Sequence, residues 1–289
     1  MNPSPIHTVF DAPQAYQLYI IGSIGVVKFL NNTGILLSRT LGGAGFNIGV
    51  AAAVNHVRPS IITTVSESDA KHLAKLPLDA ICDTTHIKIS PNYQLEFNYK
   101  SLAGKSEPNQ SIEGFGHSAA NYHIQACLSQ TGWYHISCRD PLHPRPLINK
   151  LQSDDHNRIS IDFTLSSIVR QFSAVRPMLQ FVDLIFLNES EHGYLKNELL
   201  RVHYKGIVIV TRQERSAQAW YRDVRILDIQ TTQIQPIDPS GAGDCFTGGF
   251  LANVSRGNTL ADAIAAGHQT AHKSLSNIGV EALLEERIF

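Results

Sequence analysis

The 289-residue sequence predicts an α/β fold built on a mainly parallel sheet. Short runs that are apolar nearly throughout recur along the chain, as expected of strands covered on both faces. Longer stretches with helical periodicity lie between them, and that alternation calls for right-handed crossovers between parallel neighbours. One region alternates apolar with polar residues instead, which marks strands with one wet face.

The strands are expected at Leu18–Ile21, Ile61–Val65, Trp133–Ser137, Ile159–Phe163, Leu184–Leu187 and Ile207–Thr211. The helices are expected at about 43–57, 119–131, 142–152, 166–181, 189–201, 244–256 and 259–276. In the sixth of these, Phe246, Phe250 and Val254 recur at spacings of four, which puts them on one face. The period-two pattern falls on Leu95-Glu-Phe-Asn-Tyr-Lys and on Ile87-Lys-Ile. A small accessory sheet over about 86–102, with a contribution from about 24–40, would suit a lid over a site or an ordinary edge hairpin. The whole reads as a single domain over 1–289, without repeats or a long linker.

Composition narrows the function classes. A net charge of −1 without long charged runs favours neither nucleic acid nor a membrane surface. Cys82, Cys127, Cys138 and Cys245 are scattered and form no C-x-x-C pair, so buried thiols are expected. No apolar stretch approaches the roughly 20 residues of a transmembrane helix, and the first residues lack a secretory pattern. A cytoplasmic location is the expectation.

The chemistry concentrates in Asp238-Pro-Ser-Gly241-Ala242-Gly243-Asp244. Small residues there let backbone N–H groups approach a ligand closely. A glycine-rich turn feeding a helix N-terminus suits an anion. Asp244, at the mouth of that site, would serve as a base for a hydroxyl nucleophile, or simply cap the helix. A second constellation, Leu41-Gly42-Gly43-Ala-Gly45-Phe-Asn47, puts small residues at another helix start, and Asn47 offers both donor and acceptor. Those glycines suit either contact with a ligand or close helix–sheet packing.

Taken together, these segments resemble the ribokinase-like, PfkB-type carbohydrate kinases, from about Leu18 to Gly279. Gly22-Ser-Ile-Gly looks like that family's first strand–turn, and Gly42-Gly43 through Asn47 like its first signature. Asp162-Phe-Thr stands where the family often has Asp-Pro-Asn. Asn188-Glu-Ser-Glu191 matches its Asn-x-x-Glu motif, and Asp238–Asp244 its second signature. The resemblance implies a three-layer αβα sandwich with a small β lid. It implies transfer of the ATP γ-phosphoryl group to a hydroxyl, with Asp244 as base and the Gly241, Ala242 and Gly243 amides as anion hole. Asn188 and Glu191 would act around Mg2+ through water. Thr211 and Asn277 would lie near the nucleotide, and Gly42, Gly43, Asn47 and Arg139 near the acceptor. ATP and Mg2+ are the implied cofactors, with room for a monovalent cation. A homodimer through the lid follows from the resemblance, although a trimmed lid equally suits a monomer.

Three features depart from the family pattern. Val27 stands where an Asp usually binds substrate hydroxyls. Gln213 and Ser216 replace two glycines in the Thr211-Arg-Gln-Glu-Arg-Ser216 turn, where Arg212 or Arg215 would hold the nucleotide or remain solvated. The lid region is short. These departures keep two alternatives beside a sugar kinase: a nucleoside kinase, and a catalytically weak nucleotide- or sugar-binding protein on a kinase fold. Asn31 or Asn32 would join Asn47 in binding hydroxyls. Arg139 would meet a substrate phosphate or carboxylate, or pair with Asp140 or another acid. Phe29, Tyr93, Phe97 and Tyr99 would cover a ring or form the core of the accessory sheet. His268 and His272 lack a third metal ligand at fitting spacing. Ala263, Gly267 and Ala271 form a small-residue face that suits helix packing or an adenine pocket.

Overall fold

In the computed structural model the chain runs β1 (Leu18–Ile21), β2 (Gly25–Leu30), β3 (Leu36–Gly42), α1 (Ala44–Val54), β4 (Ser60–Val65), α2 (Glu67–Leu73), α3 (Leu78–Ile81) and β5 (Ile87–Ile89). It continues through β6 (Phe97–Lys100), β7 (Pro108–Asn109), α4 (His117–Ala126), β8 (Trp133–Ser137), α5 (Pro144–Leu151), β9 (Arg158–Asp162) and α6 (Ile168–Val175). A 3-10 turn (Arg176–Phe181) then leads to β10 (Leu184–Asn188), α7 (Glu189–Arg201), β11 (Ile207–Thr211), β12 (Ser216–Tyr221), β13 (Val224–Gln230), α8 (Ala242–Val254) and α9 (Leu260–Leu275). The structure describes residues 15–30, 36–93, 95, 97–100, 108–109 and 117–284.

The principal sheet has nine strands in the order β13-β12-β11-β10-β9-β8-β1-β4-β5. It is parallel from β11 to β5, and the β12–β13 hairpin closes one edge antiparallel. Side chains alternate between the two faces. Tyr19, Ile21, Ile185, Leu187, Val208 and Val210 pack with α4 to α7 in one apolar core. Leu18, Ile20, Leu184, Phe186, Ile207 and Ile209 pack with α1, α8 and α9 in the other. Both faces are therefore covered, which is why these strands read as unbroken apolar runs. Phe246, Phe250 and Val254 lie together in the second core, and Phe250 meets Phe186 edge-on at 5.1 Å.

A separate four-stranded sheet has the order β3-β2-β6-β7. It matches the expected accessory sheet with one correction. Ile87–Ile89 belongs to the principal sheet instead, pairing in parallel with β4. Its mixed pattern reflects an edge position, where both lysine and isoleucine side chains reach water. Val27 and Phe29 from β2 pack with Tyr93, Leu95 and Ala120. Phe29 and Tyr93 are thus core residues of this region, while the side chains of Phe97 and Tyr99, and Asn31 and Asn32 entirely, lie outside the described residues.

Two elements of the principal sheet, β12 and β13, have no counterpart in the expectation. Ser216, Ala217 and Ala219 are small and buried beside a buried Gln218, and the turn uses Arg222 and Asp223 at φ 48° and 63° in place of the usual Asn-Gly. Helix α2 was also unanticipated. Ser66 caps it, accepting from the Asp69 N–H and donating to the Asp69 carboxylate.

Candidate active site

The parallel strands end on one side of the sheet with the residues that the motifs single out. β9 ends at Asp162, β10 at Asn188 and β11 at Thr211, and Arg139 follows β8. Ligands of open α/β sheets bind at this carboxyl edge.

Helix α8 delivers Asp244 to the same edge. Its N-cap is Gly241, in the left-handed region at φ 77°, where a side chain would be strained. Asp238 fixes the approach to this turn. One carboxylate oxygen accepts from the Ser240 N–H at 2.9 Å and the other from the Gly279 N–H at 3.0 Å. Asp244 sits in the first helical turn but does not cap it. Its two oxygens are held by side chains, Oδ1 by Arg139 Nη2 at 2.6 Å and Oδ2 by Asn47 Nδ2 at 2.9 Å. The Ala242 N–H donates to the Pro239 carbonyl at 3.4 Å, whereas those of Gly241 and Gly243 bond nothing among the described residues, as the first N–H groups of a helix have no partner within it.

Arg139 is the centre of this cluster. Its Nη2 also donates to Asp162 Oδ2 at 2.5 Å, so one nitrogen bridges two acids. Burial opposes its charge, but Asp162 and Asp244 outweigh that and hold the guanidinium firmly protonated. Asp140, the nearer acid in sequence, pairs with Arg170 instead. Asp162 is 5% exposed and its carboxyl is pushed up to about 6 by burial, with Arg139 opposing and Asp244 adding. Behind it, fully buried His135 has Nε2 4.0 Å from Asp162 Oδ1, and burial lowers its pKa to about 3. Sequence reasoning gave Asp162 no role. The available signal was an acid closing an otherwise apolar strand.

Asn47 projects from α1, whose start presses on the turn after β1. A Cβ on Gly45 would lie 2.6 Å from the Gly22 carbonyl oxygen, and one on Gly43 2.6 Å from that of Ser23. The glycines therefore serve backbone packing that brings Asn47 to Asp244. Asn47 Oδ1 remains buried without a partner among the described residues. Val27 is 5% exposed, and a Cβ on Gly42 would stand 2.5 Å from its side chain. It gives this wall an apolar surface.

Asn188 and Glu191 form a capping box at the start of α7. Asn188 Oδ1 accepts from the Glu191 N–H at 2.9 Å, and Glu191 Oε2 from the Asn188 N–H at 2.8 Å. Burial raises the Glu191 carboxyl to about 7, with the Asn188 N–H and Arg139 opposing and the Asp162 charge adding. Thr211 pairs with Asn188 across β10 and β11. Arg212 Nε meets Glu189 at 3.0 Å and Arg215 pairs with the same carboxylate, so each has an acidic partner. Gln213 takes φ 53°, the region that favours glycine, so the turn keeps a left-handed residue without one. Ser216 is buried at the start of β12.

The remaining candidates have structural partners. Asn277 Nδ2 bonds the Lys273 carbonyl near the end of α9. His268 bonds the Ile229 carbonyl and His272 meets Thr231, which ties α9 to β13 and the segment after it. Gly267 packs on Phe246, where a Cβ would come within 2.9 Å of the ring, so the small-residue face serves helix packing. Among the described residues, no group of three His, Cys, Asp or Glu side chains is placed to hold a metal ion.

The residues fit a phosphorylated nucleotide in two respects. A Cβ added to Gly243 would meet nothing within 4 Å, so open space adjoins the α8 N-terminus. Asp162 and Glu191 add two further carboxyl groups near this edge, and the Asp162 charge adds to the raised pKa of Glu191 after burial, so a cation between them would relieve that repulsion. Because Asn188 and Glu191 bond each other, their hold on such a cation would run through water.

A doubly covered parallel sheet with an acid at a glycine-rich helix start defines a ribokinase-like phosphotransferase fold. Residues 30–287 match the model of the pfkB family carbohydrate kinases, and the chain belongs to that family. It is 23% identical to a cytidine kinase of Thermococcus kodakarensis over 278 residues, 91% of this chain and 97% of that protein. It is 26% identical to the fructoselysine 6-kinase of Escherichia coli over 243 residues, 82% and 90% of the two chains. Among solved structures, a Burkholderia thailandensis nucleoside kinase in complex with inosine superposes with a TM-score of 0.78, with 17% identity over 93% of this chain and 97% of that one. Among the described residues no helix is long and apolar enough to cross a membrane.

Proposed function

We propose that this chain moves the γ-phosphoryl group of ATP to a hydroxyl of a sugar-like or nucleoside acceptor, with Asp244 taking the hydroxyl proton. The observation that carries this reading is the placement of Asp244. It is buried in the first turn of α8 yet bonded only through side chains, to Arg139 and Asn47. A carboxylate committed to helix capping would have its oxygens on backbone N–H groups. Asp244 would face the acceptor, while the Gly241 and Gly243 amides, and that of Ala242 on giving up its long bond to the Pro239 carbonyl, would take phosphate oxygens.

In the transfer, the acceptor oxygen bonds the γ-phosphorus as the bond to the bridging oxygen breaks and its electron pair leaves with ADP. The proton passes to Asp244. Such transition states are loose, so positioning and charge stabilisation carry most of the catalysis. Asn47 fixes the base, and Gly42 and Gly43 shape the acceptor wall beside Val27. Asn188 and Glu191 would hold Mg2+ through water, and the ion would neutralise phosphate charge. Thr211, Arg212 and Asn277 would contact the nucleotide. The small four-stranded sheet would act as the lid, and as the contact between subunits if the protein dimerises. The relatives named above act on both acceptor classes, which supports keeping both.

The test is an ATP-consumption and thermal-shift screen over sugars, sugar derivatives and nucleosides, with Asp244→Asn as control. Turnover on at least one acceptor that disappears in the variant is expected. Undiminished turnover by Asp244→Asn would sink the mechanism.

A further inference from the structure

Arg139 is a half-buried cation beside Asp244, and its donors are only partly used. A guanidinium has five N–H donors in a planar fork that matches a carboxylate or phosphate in pairs. Arg139 meets both Asp162 and Asp244 through the single nitrogen Nη2. Its Nε is buried and has no partner among the described residues. A buried donor without an acceptor is unfavourable, and a ligand that supplies one removes that penalty.

Arg139 also lines a cavity of about 30 Å³ together with Ser23, Thr64, Asn121 and Ser137. The Thr64 hydroxyl is buried there without a partner among the described residues. The acid on this lining, Asp140, is already engaged by Arg170 and by Gln171 Nε2 at 2.9 Å. The adjoining wall at Val27 adds no charge. This end of the site therefore combines a cation with a spare donor, hydroxyl groups and an acid that is neutralised from outside.

Resting on the reading of Asp244 as base, we propose that the acceptor carries an anionic group, a carboxylate or a phosphate ester, near the hydroxyl that is phosphorylated, and that Arg139 selects it. An anion on the Nε edge competes with the two carboxylates for the guanidinium. Asp162 and Asp244 share the one nitrogen Nη2, so both give up part of their hold as the new charge arrives. The hold of Arg139 on Asp244 Oδ1 then weakens, and that oxygen becomes available for the hydroxyl proton. Binding of the correct acceptor is in this way coupled to release of the base. A neutral sugar leaves Arg139 on both acids and its Nε unpaired.

The test uses matched compounds on the full-length protein: glucose, gluconate and glucose 6-phosphate; ribose, ribonate and ribose 5-phosphate; cytidine and cytidine 5′-monophosphate. Turnover and melting temperature are read for each. The anionic members should show roughly tenfold or greater kcat/KM over their neutral counterparts, and the carboxylate and phosphate arms show which anion is preferred. Arg139→Gln should collapse that ratio to about one through the acceptor KM, with the KM for ATP unchanged, and Arg139→Lys should restore part of it. The wild-type comparison needs no variant to fold. Neutral members served as well as anionic ones, or a preference that survives Arg139→Gln, overturns the proposal, as does the absence of both turnover and thermal shift across the whole set. If no compound supports ATP use yet the anionic members alone shift wild-type melting and not that of Arg139→Gln, the kinase mechanism falls while the role of Arg139 stands.

Discussion

Asn47 Nδ2 donates to Asp244 Oδ2 at 2.9 Å across 197 positions of sequence, so α1 holds the acid that opens α8. The same amide leaves its Oδ1 buried and unpartnered among the described residues. One side chain thus fixes the proposed base and keeps an acceptor for a substrate hydroxyl. Asn47→Ala should raise the acceptor KM roughly tenfold, the loss of about one good hydrogen bond, while the KM for ATP stays put. It should also lower kcat, because Asp244 loses one of its two restraints. Steady-state kinetics with each substrate varied in turn checks this, and an unmoved acceptor KM removes Asn47 from the acceptor site.

Asp244 has both oxygens occupied by Arg139 and Asn47, so its replacement by Asn should preserve most of the packing around it. Asp244→Asn removes proton acceptance while keeping shape. General base catalysis contributes about 10²–10⁴-fold, and kcat should fall by that amount. Binding of ATP should persist, which calorimetry on the variant measures directly. Loss of nucleotide binding together with activity would place Asp244 in the phosphate site instead.

Much of this arrangement was legible in the sequence because it follows from local rules. Strands with two covered faces read as apolar runs, and Leu18 to Ile21 do so because successive side chains enter different cores. The β12–β13 hairpin was not legible. Its buried residues are small or polar (Ser216, Ala217, Gln218 and Ala219), and its turn places Arg222 and Asp223 in left-handed conformations that their types do not advertise. The Arg139 cluster was hidden for another reason. Its partners lie 23 and 105 residues away, whereas the acid next to it in sequence pairs elsewhere. Ion pairs across strand ends depend on topology, so the sequence offered an anionic partner for Arg139 without saying which.

Gly241 and Gly243 stand two apart but face different constraints. Gly241 has φ 77°, and a Cβ on it would lie 2.9 Å from Asn47 Nδ2. Gly241→Ala should cost about 1–2 kcal/mol in backbone strain alone and should disturb the Asn47–Asp244 contact. Gly243 has open space where its Cβ would go. Gly243→Ala should therefore leave thermal stability unchanged. If that space receives phosphate oxygens, the KM for ATP should rise roughly tenfold. Melting curves and nucleotide titrations on the two variants separate these effects, and a Gly243→Ala enzyme with unaltered ATP kinetics would put the phosphates elsewhere.

Asp162 and His135 give stability a pH dependence that one substitution can expose. Burial pushes the Asp162 carboxyl up to about 6, against about 3.9 for a free aspartate. Between those values the folded chain holds more protons than the unfolded one. The contribution of Asp162 is therefore greatest at low pH and is lost as pH rises from about 4 to about 6. His135 acts in the opposite sense. Its pKa is lowered by burial first, then by Arg139, to about 3, against about 6.5 unfolded. Its contribution is complete above about 6.5 and is lost as pH falls. From about pH 4 to 6 the two slopes oppose each other, each limited to about 1.4 kcal/mol per pH unit. Asp162→Asn abolishes the first slope and leaves the second. The variant should therefore gain stability relative to wild type as pH rises through that window, whatever its constant offset from losing an Arg139 partner. Urea unfolding at a series of pH values measures the difference, and a difference that stays constant or shrinks with rising pH would mean that Asp162 is ionised throughout.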